Sequence, residues 1–162
     1  MHVMVEFFYK KFNELTTAEL HDIFALRAEV FVVEQDCVYQ DIDGKDQASI
    51  HVLGAEEGKI IAYSRILERG LSYKEHNAIG RIVVSEAFRS RKIGHELVAF
   101  SIEATKKIYP KTTIKISAQA HLKIFYEEHK FQIDGQPYLE DGIPHVGMVL
   151  FCLLYTSPSP RD

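Results

Sequence analysis

Cysteine is scarce in this chain of 162 residues: there are two, Cys37 and Cys152. Two thiols do not make a disulfide framework, so a reducing, cytoplasmic location is expected. No apolar run approaches the roughly 20 residues of a membrane-spanning helix, and no membrane partner is expected. The N-terminal stretch MHVMVEFFYKKF lacks a basic start and a small-residue cleavage site, so no secretory leader is expected. Positive charge is not in excess either. The net charge of −4 argues against a nucleic-acid partner. The nucleotide patterns GxxxxGK[ST] and GxGxxG are missing, as are a GxSxG nucleophile elbow and any His/Cys set with zinc spacing. DIDGKD, Asp41 to Asp46, starts like a calcium loop. It fails at Lys45 in fifth place, at Asp46 where glycine is needed, and at Val52 where a bidentate glutamate is needed. No metal is expected.

What remains is an ordinary globular composition, 46% hydrophobic and 26% charged, at a length that suits one domain with a real core. The end of the chain stands apart. CLLYTSPSPRD, Cys152 to Asp162, is rich in Ser and Pro, has no periodicity and resembles a translated sequencing-library adapter. It is set aside as a scar. The domain is then residues 1–151, and the native C-terminus is expected to be missing.

Hydrophobic periodicity gives strands and helices in alternation. Val3 to Phe12 reads as a strand. Leu15 to Phe31 reads as a helix opened by a Thr16/Glu19 capping box, with Leu20, Ile23, Phe24, Arg27, Val30 and Phe31 at helical spacing. Ser49 to Leu67 reads as two strands around Glu56-Glu57-Gly58. Ala78 to Ser85 is a central strand, Arg91 to Ile108 a long helix, Thr112 to Ala120 a strand and His121 to Lys130 a short helix. Phe131 to Phe151 gives two last strands. This order makes a mixed α/β (α+β) domain on a central sheet.

The turn at Arg89-Ser90-Arg91-Lys92-Ile93-Gly94 carries chemistry. A strand, a donor-rich turn and a helix N-terminus together form an anion site, because the first helical N–H groups lack intrahelical acceptors and the helix dipole is positive there. Arg89, Arg91 and Lys92 add full charges to an acidic protein. The competing reading is a solvated basic helix start. A second segment, Ala28 to Gln47, carries six acids against Lys45 alone. Such a run either attracts a cationic amine or is a solvated loop.

VVSEAFRSRKIG resembles the acetyl-CoA motif of the GNAT N-acetyltransferases, Val-x-Pro-x-x-Arg/Gln-x-x-Gly-x-Gly. Val84 and Arg89 match, and Gly94 takes the last glycine, while Glu86 replaces the proline and Lys92 the middle glycine. QAHLKIFYEEHKF resembles the second motif, Asn-x-x-Ala-x-x-Phe-Tyr-x-x-x-Gly-Phe. Phe125, Tyr126 and Phe131 match, with Gln119 for asparagine and Lys130 for glycine. A left-handed helix end at Lys130 would cost about 1 kcal/mol, unless the helix ends differently. Over Phe12 to Met148 the chain is similar to the ElaA family within GNAT.

The resemblance implies a twisted mixed sheet with helices on both faces and a V-shaped opening between central strands. It implies direct acetyl transfer from acetyl-CoA to a primary amine of a small molecule or peptide. The pyrophosphate would lie on Arg89, Ser90, Arg91, Lys92, Ile93, Gly94 and His95. Pantetheine would run along Ile82, Val83 and Val84, with the Val84 N–H as oxyanion donor. Gln119 and Phe125 would also contact the cofactor. Tyr126 stands where the family carries its general acid, although alone it would read as a core tyrosine paired with Phe125. For the base, Ala78 to Ser85 offers no carboxylate, which leaves Glu34, His121 and His145, or water. That gap keeps open a non-catalytic acyl-CoA-binding or sensing module on the same fold. A monomer or homodimer is expected.

Overall fold

The structure is a computed structural model and describes residues 4–110 and 112–151. The tail set aside above, Cys152 to Asp162, lies outside the described residues. The elements in chain order are β1 (Glu6–Lys11), α1 (Thr17–Arg27), β2 (Ile50–Glu56), β3 (Lys59–Leu67), β4 (Asn77–Val84), α2 (Ile93–Ile108), β5 (Ile114–Gln119), α3 (Lys123–Glu127), β6 (Gln132–Ile133), β7 (Tyr138–Glu140) and β8 (Ile143–Leu150). The strands form one mixed sheet in the order β1-β2-β3-β4-β5-β8-β6, with β7 pairing β8. The last segment thus makes three strands, not the two expected. Gly135 at φ +97° and the Asp141-Gly142 turn break it twice. The chain divides into two compact units: Met1–Ile66 with Gly80–Ser101, and Leu67–Ile79 with Ile102–Asp162. The boundaries fall within β4, after Ile79, and within α2, after Ser101.

In the first unit the Thr16 capping box forms as read. Glu19 N–H donates to Thr16 Oγ1 at 3.0 Å, and Thr16 N–H donates to Glu19 at 2.9 Å. The helix then widens into π-helical turns over Ala28–Glu34, with Gln35 N–H reaching back to the Val30 carbonyl at 3.2 Å. Ile23, Leu26 and Val30 pack with Leu53, Ile60, Tyr63 and Val83 as one core. Burial of this kind is the main stabilising term of such a fold.

The same unit folds the acidic segment inward, so neither reading of Asp41, Asp43 and Asp46 as a solvated run or an open amine attractor describes them. Arg27, fully buried, donates to Asp41 Oδ2 at 2.8 Å and to Asp46 Oδ1 at 2.7 Å. Arg65 donates to Asp46 at 3.0 Å and to both Asp43 oxygens, at 2.9 and 2.7 Å. Arg81 donates from Nη2 to the Asp41 carbonyl at 2.9 Å; its Nε lies 2.7 Å from Asp41 Oδ1 as an ion pair, not aligned as a hydrogen bond. Burial alone would raise the Asp46 carboxyl, but Arg27 and Arg65 outweigh it and hold Asp46 below its ordinary range.

In the second unit, β5 pairs antiparallel with β8 from Ile114↔Leu150 to Gln119↔His145. The β4–β5 ladder is parallel and holds two pairs, Asn77↔Ile114 and Ala78↔Lys115. Opposed residues on paired strands share a face. Ile114, Ile116 and Ala118 oppose Leu150, Met148 and Val146, and all six are buried. The intervening Lys115, Ser117 and Gln119 therefore occupy the other face, opposite Val149, Gly147 and His145.

Candidate active site

The basic turn forms in the first unit. Ser85 N–H donates to the Ile61 carbonyl at 2.8 Å, which fixes the end of β4. Glu86–Arg91 then makes a 3-10 turn, and Lys92 reverses the backbone in the left-handed region at φ 62°. So α2 starts at Ile93, two residues later than the periodicity predicts. The Lys92 carbonyl accepts from Glu96 N–H at 3.2 Å. By helix geometry the N–H groups of Ile93, Gly94 and His95 have no acceptor inside the helix. Where the acetyl-CoA motif carries its middle glycine, this chain bends lysine into the conformation that glycine adopts freely. Lys130 does the same at the end of the short helix, at φ 76°, so of the two endings considered the left-handed one holds.

Two of the turn's cations are paired across the first unit. Arg89 grips the Glu34 carboxylate with both terminal nitrogens and donates from Nε to the Val84 carbonyl at 3.1 Å. Arg91 donates to Glu56 at 2.9 and 3.2 Å and lies over the Phe88 ring. The Arg89 hydrogen bonds, more than the small opposing effect of burial, hold the Glu34 carboxyl below its usual range. That makes Glu34 a weak proton acceptor as it stands. In β4, Arg81 takes a left-handed φ of 48°, an irregularity in the strand that carries Ile82, Val83 and Val84.

The second unit carries the remaining candidates. Gln119 closes β5, directly opposite His145 on β8. A 3-10 turn, Ala120–Leu122, leads into α3 and leaves His121 exposed at its start. Tyr126 is buried, edge-on to Phe125 at 5.0 Å and to Phe131 at 6.1 Å. Burial pushes its phenol up, so it holds its proton throughout the neutral range. His145 is 7% exposed. Its Nδ1–H donates to the Ile143 carbonyl at 2.7 Å, which leaves Nε2 as the basic nitrogen.

Sequence reading missed the neighbours of His145. Tyr138 opposes it on β7 and stacks on its ring at 6.1 Å. Glu140, two residues on, shares that face. Ser117 Oγ hydrogen-bonds the Tyr138 hydroxyl and donates to Glu140 at 3.1 Å. Tyr73 joins them: its phenol is pushed up to about 12 by burial first, then by Tyr138 and Glu140. Two signals were available, the alternation Lys115-Ser117-Gln119 and the Asp-Gly pair of a tight hairpin. Among the described residues no group of three or more His, Cys, Asp or Glu could hold a metal ion, and no helix is long and apolar enough to cross a membrane.

The comparisons agree with this architecture. The family model for the acetyltransferase (GNAT) domain matches residues 14–152. The chain belongs to the GNAT acetyltransferase family. Protein ElaA of Escherichia coli strain K12 is 41% identical over 147 residues, covering 90% of this chain and 95% of that one. The crystal structure of E. coli ElaA aligns at a TM-score of 0.85 with 40% identity, over 91% of this chain and 99% of that one. An acyl-CoA N-acyltransferase from Pseudomonas aeruginosa aligns at 0.86 with 37% identity, over the same shares. A GNAT acetyltransferase from Elizabethkingia anophelis, solved with acetyl-CoA bound, shares the fold at 0.65 and 15% identity, over 91% of this chain and 98% of that one.

Proposed function

We propose that the chain transfers an acetyl group from acetyl-CoA to a primary amine of a small molecule or peptide, in the cytoplasm, with residues 1–151 as the catalytic domain. The observation that carries the reading is the left-handed turn at Lys92. It joins a segment carrying three cations, Arg89, Arg91 and Lys92, to the N-terminus of a 16-residue helix. That donor set fits a pyrophosphate: first-turn N–H groups with no acceptor inside the helix, the Ser90 hydroxyl, and side chains whose carboxylate partners can be exchanged for phosphate oxygens. Acetyl-CoA supplies an activated thioester. The backbone of Ile82, Val83 and Val84 offers strand-like hydrogen bonds to its arm, Gln119 and Phe125 offer further contacts, and the Val84 N–H is the oxyanion donor.

Tyr126, protonated at neutral pH, is the general acid for the departing sulfur. His145 is the base, because its Nδ1 is committed to Ile143 and Nε2 remains to accept a proton. The test is calorimetric titration of acetyl-CoA into residues 1–151, followed by an assay on an amine panel. Micromolar binding with turnover supports transfer, and no binding by folded protein ends the proposal. One observation favours a non-catalytic acyl-CoA-binding module instead: β4, Asn77–Val84, carries no carboxylate. Binding without turnover on any amine would select it.

A further inference from the structure

Five carboxylates of this fold are answered by arginine. Glu34, Asp41, Asp43, Asp46 and Glu56 each sit within 3.0 Å of a guanidinium. Glu140 is different. Its hydrogen-bond partner is the Ser117 hydroxyl at 3.1 Å, and its ion-pair contact among the described residues is His145 Nε2 at 3.9 Å. Its side chain is half-exposed, at 49%. Lys115, the cation on the same face of β5, is held by Asp134 at 3.3 Å and by the Tyr73 ring at 5.0 Å. Gly147 leaves room for that side chain: a Cβ there would lie 3.2 Å from Lys115 Cε.

The carboxylate is also well fixed. Asp141 and Gly142, at φ 53° and 77°, make a two-residue turn, and Glu140 pairs with Ile143 in register. Around it stand two hydroxyls, Ser117 and Tyr138, and the rings of Tyr138 and His145. A fixed anion with spare capacity, hydroxyl acceptors and aromatic faces is the recognition chemistry of a primary ammonium on a carbon body.

We propose that Glu140 anchors the ammonium end of the acceptor, with the Ser117 and Tyr138 hydroxyls completing its hydrogen bonds and the Tyr138 ring flanking its carbon chain. This rests on the acetyl-transfer reading. The ammonium must lose one proton before its nitrogen can attack. His145 Nε2 beside Glu140 takes that proton, leaving neutral amine and imidazolium.

The experiment titrates phenethylamine and n-hexylamine into the full chain, with 2-phenylethanol as the uncharged control, and titrates acetyl-CoA separately. The wild type binds the amines and not the alcohol. Glu140→Gln weakens amine binding about tenfold or more, leaves the acetyl-CoA Kd within about twofold, and keeps its Tm because the side chain is at the surface. Ser117→Ala weakens amine binding less. Leu139→Ala, on the opposite face of β7, changes nothing. Equal amine affinity in wild type and Glu140→Gln, or no amine binding by the wild type, overturns the site. Normal acetyl-CoA binding in that case leaves the transfer reading intact. Glu140-dependent amine binding without acetyl-CoA binding would overturn the transfer reading instead.

Discussion

Arg89 and Glu34 form a two-pronged ion pair, Nη1 2.5 Å from Oε2 and Nη2 2.7 Å from Oε1, joining the basic turn to the end of the first helix. If Arg89 also serves a phosphate, its carboxylate partner competes with the cofactor. Glu34→Gln should then tighten acetyl-CoA binding about two- to fivefold, the worth of a partly exposed pair. Arg89→Ala should weaken it about tenfold. Calorimetry at fixed ionic strength decides. Unaltered dissociation constants in both variants would remove Arg89 from the phosphate site.

Tyr126→Phe keeps the edge-on packing against Phe125 and Phe131 and deletes only the hydroxyl. Turnover should fall about a hundredfold, with acetyl-CoA affinity and Tm nearly unchanged. Steady-state kinetics on an accepted amine, read beside a thermal melt, would show it. Full activity in the variant would return Tyr126 to a packing role.

Lys92 and Lys130 both occupy left-handed backbone. Lysine there costs about 1 kcal/mol relative to glycine, partly offset by the extra freedom glycine gives the unfolded chain. Lys130→Gly, remote from the turn's cations in sequence, should raise stability by about 0.5 kcal/mol in a denaturant melt. Lys92→Gly should stabilise similarly yet weaken acetyl-CoA binding, since it removes a charge. A loss of stability in both would show that the lysine side chains make up for the strain.

Acid should loosen the first unit. His51 is fully buried: Nε2–H donates to the Asp46 carbonyl at 2.8 Å, and Nδ1 accepts from the Tyr63 hydroxyl at 2.6 Å. Burial first, then the Arg27 and Arg65 charges, hold its pKa below the ordinary 6.5. The unfolded chain therefore takes up this proton first. Stability is lost as pH falls through about 6.5 and onward to the lower folded value. Asp46, also held low, adds a second loss beginning near its ordinary 3.8. Urea midpoints measured from pH 8 to pH 5 should fall, and His51→Gln should flatten that slope while lowering the midpoint throughout. An equal slope in both proteins would exclude His51 as the source.

Local signals were legible in the sequence. The Thr16 capping box, the Glu56-Glu57-Gly58 hairpin and the β5 strand depend on residues a few positions apart, and each formed where it was read. The chemical candidates Arg89, Tyr126 and His145 could be named from the sequence because they sit in or beside recognisable motifs. Partnerships were not legible. Asp41 and Asp46 are acidic on paper, but their charges are met by Arg27, Arg65 and Arg81, which only the folded strands and helix bring near. Nothing local singles out Glu140 for the same reason: Ser117 on β5 reaches it only through sheet registry.

The π-helical turns at Ala28–Glu34 have a consequence for how this chain can vary. Each π turn holds one residue more than an α turn. Deleting a single residue there would leave the core stripe of Ile23 and Leu26 in place but swing Glu34 about 100° around the helix axis, away from Arg89. A neighbour in evolution lacking that one residue would keep the fold and present its basic turn without the carboxylate that now covers it.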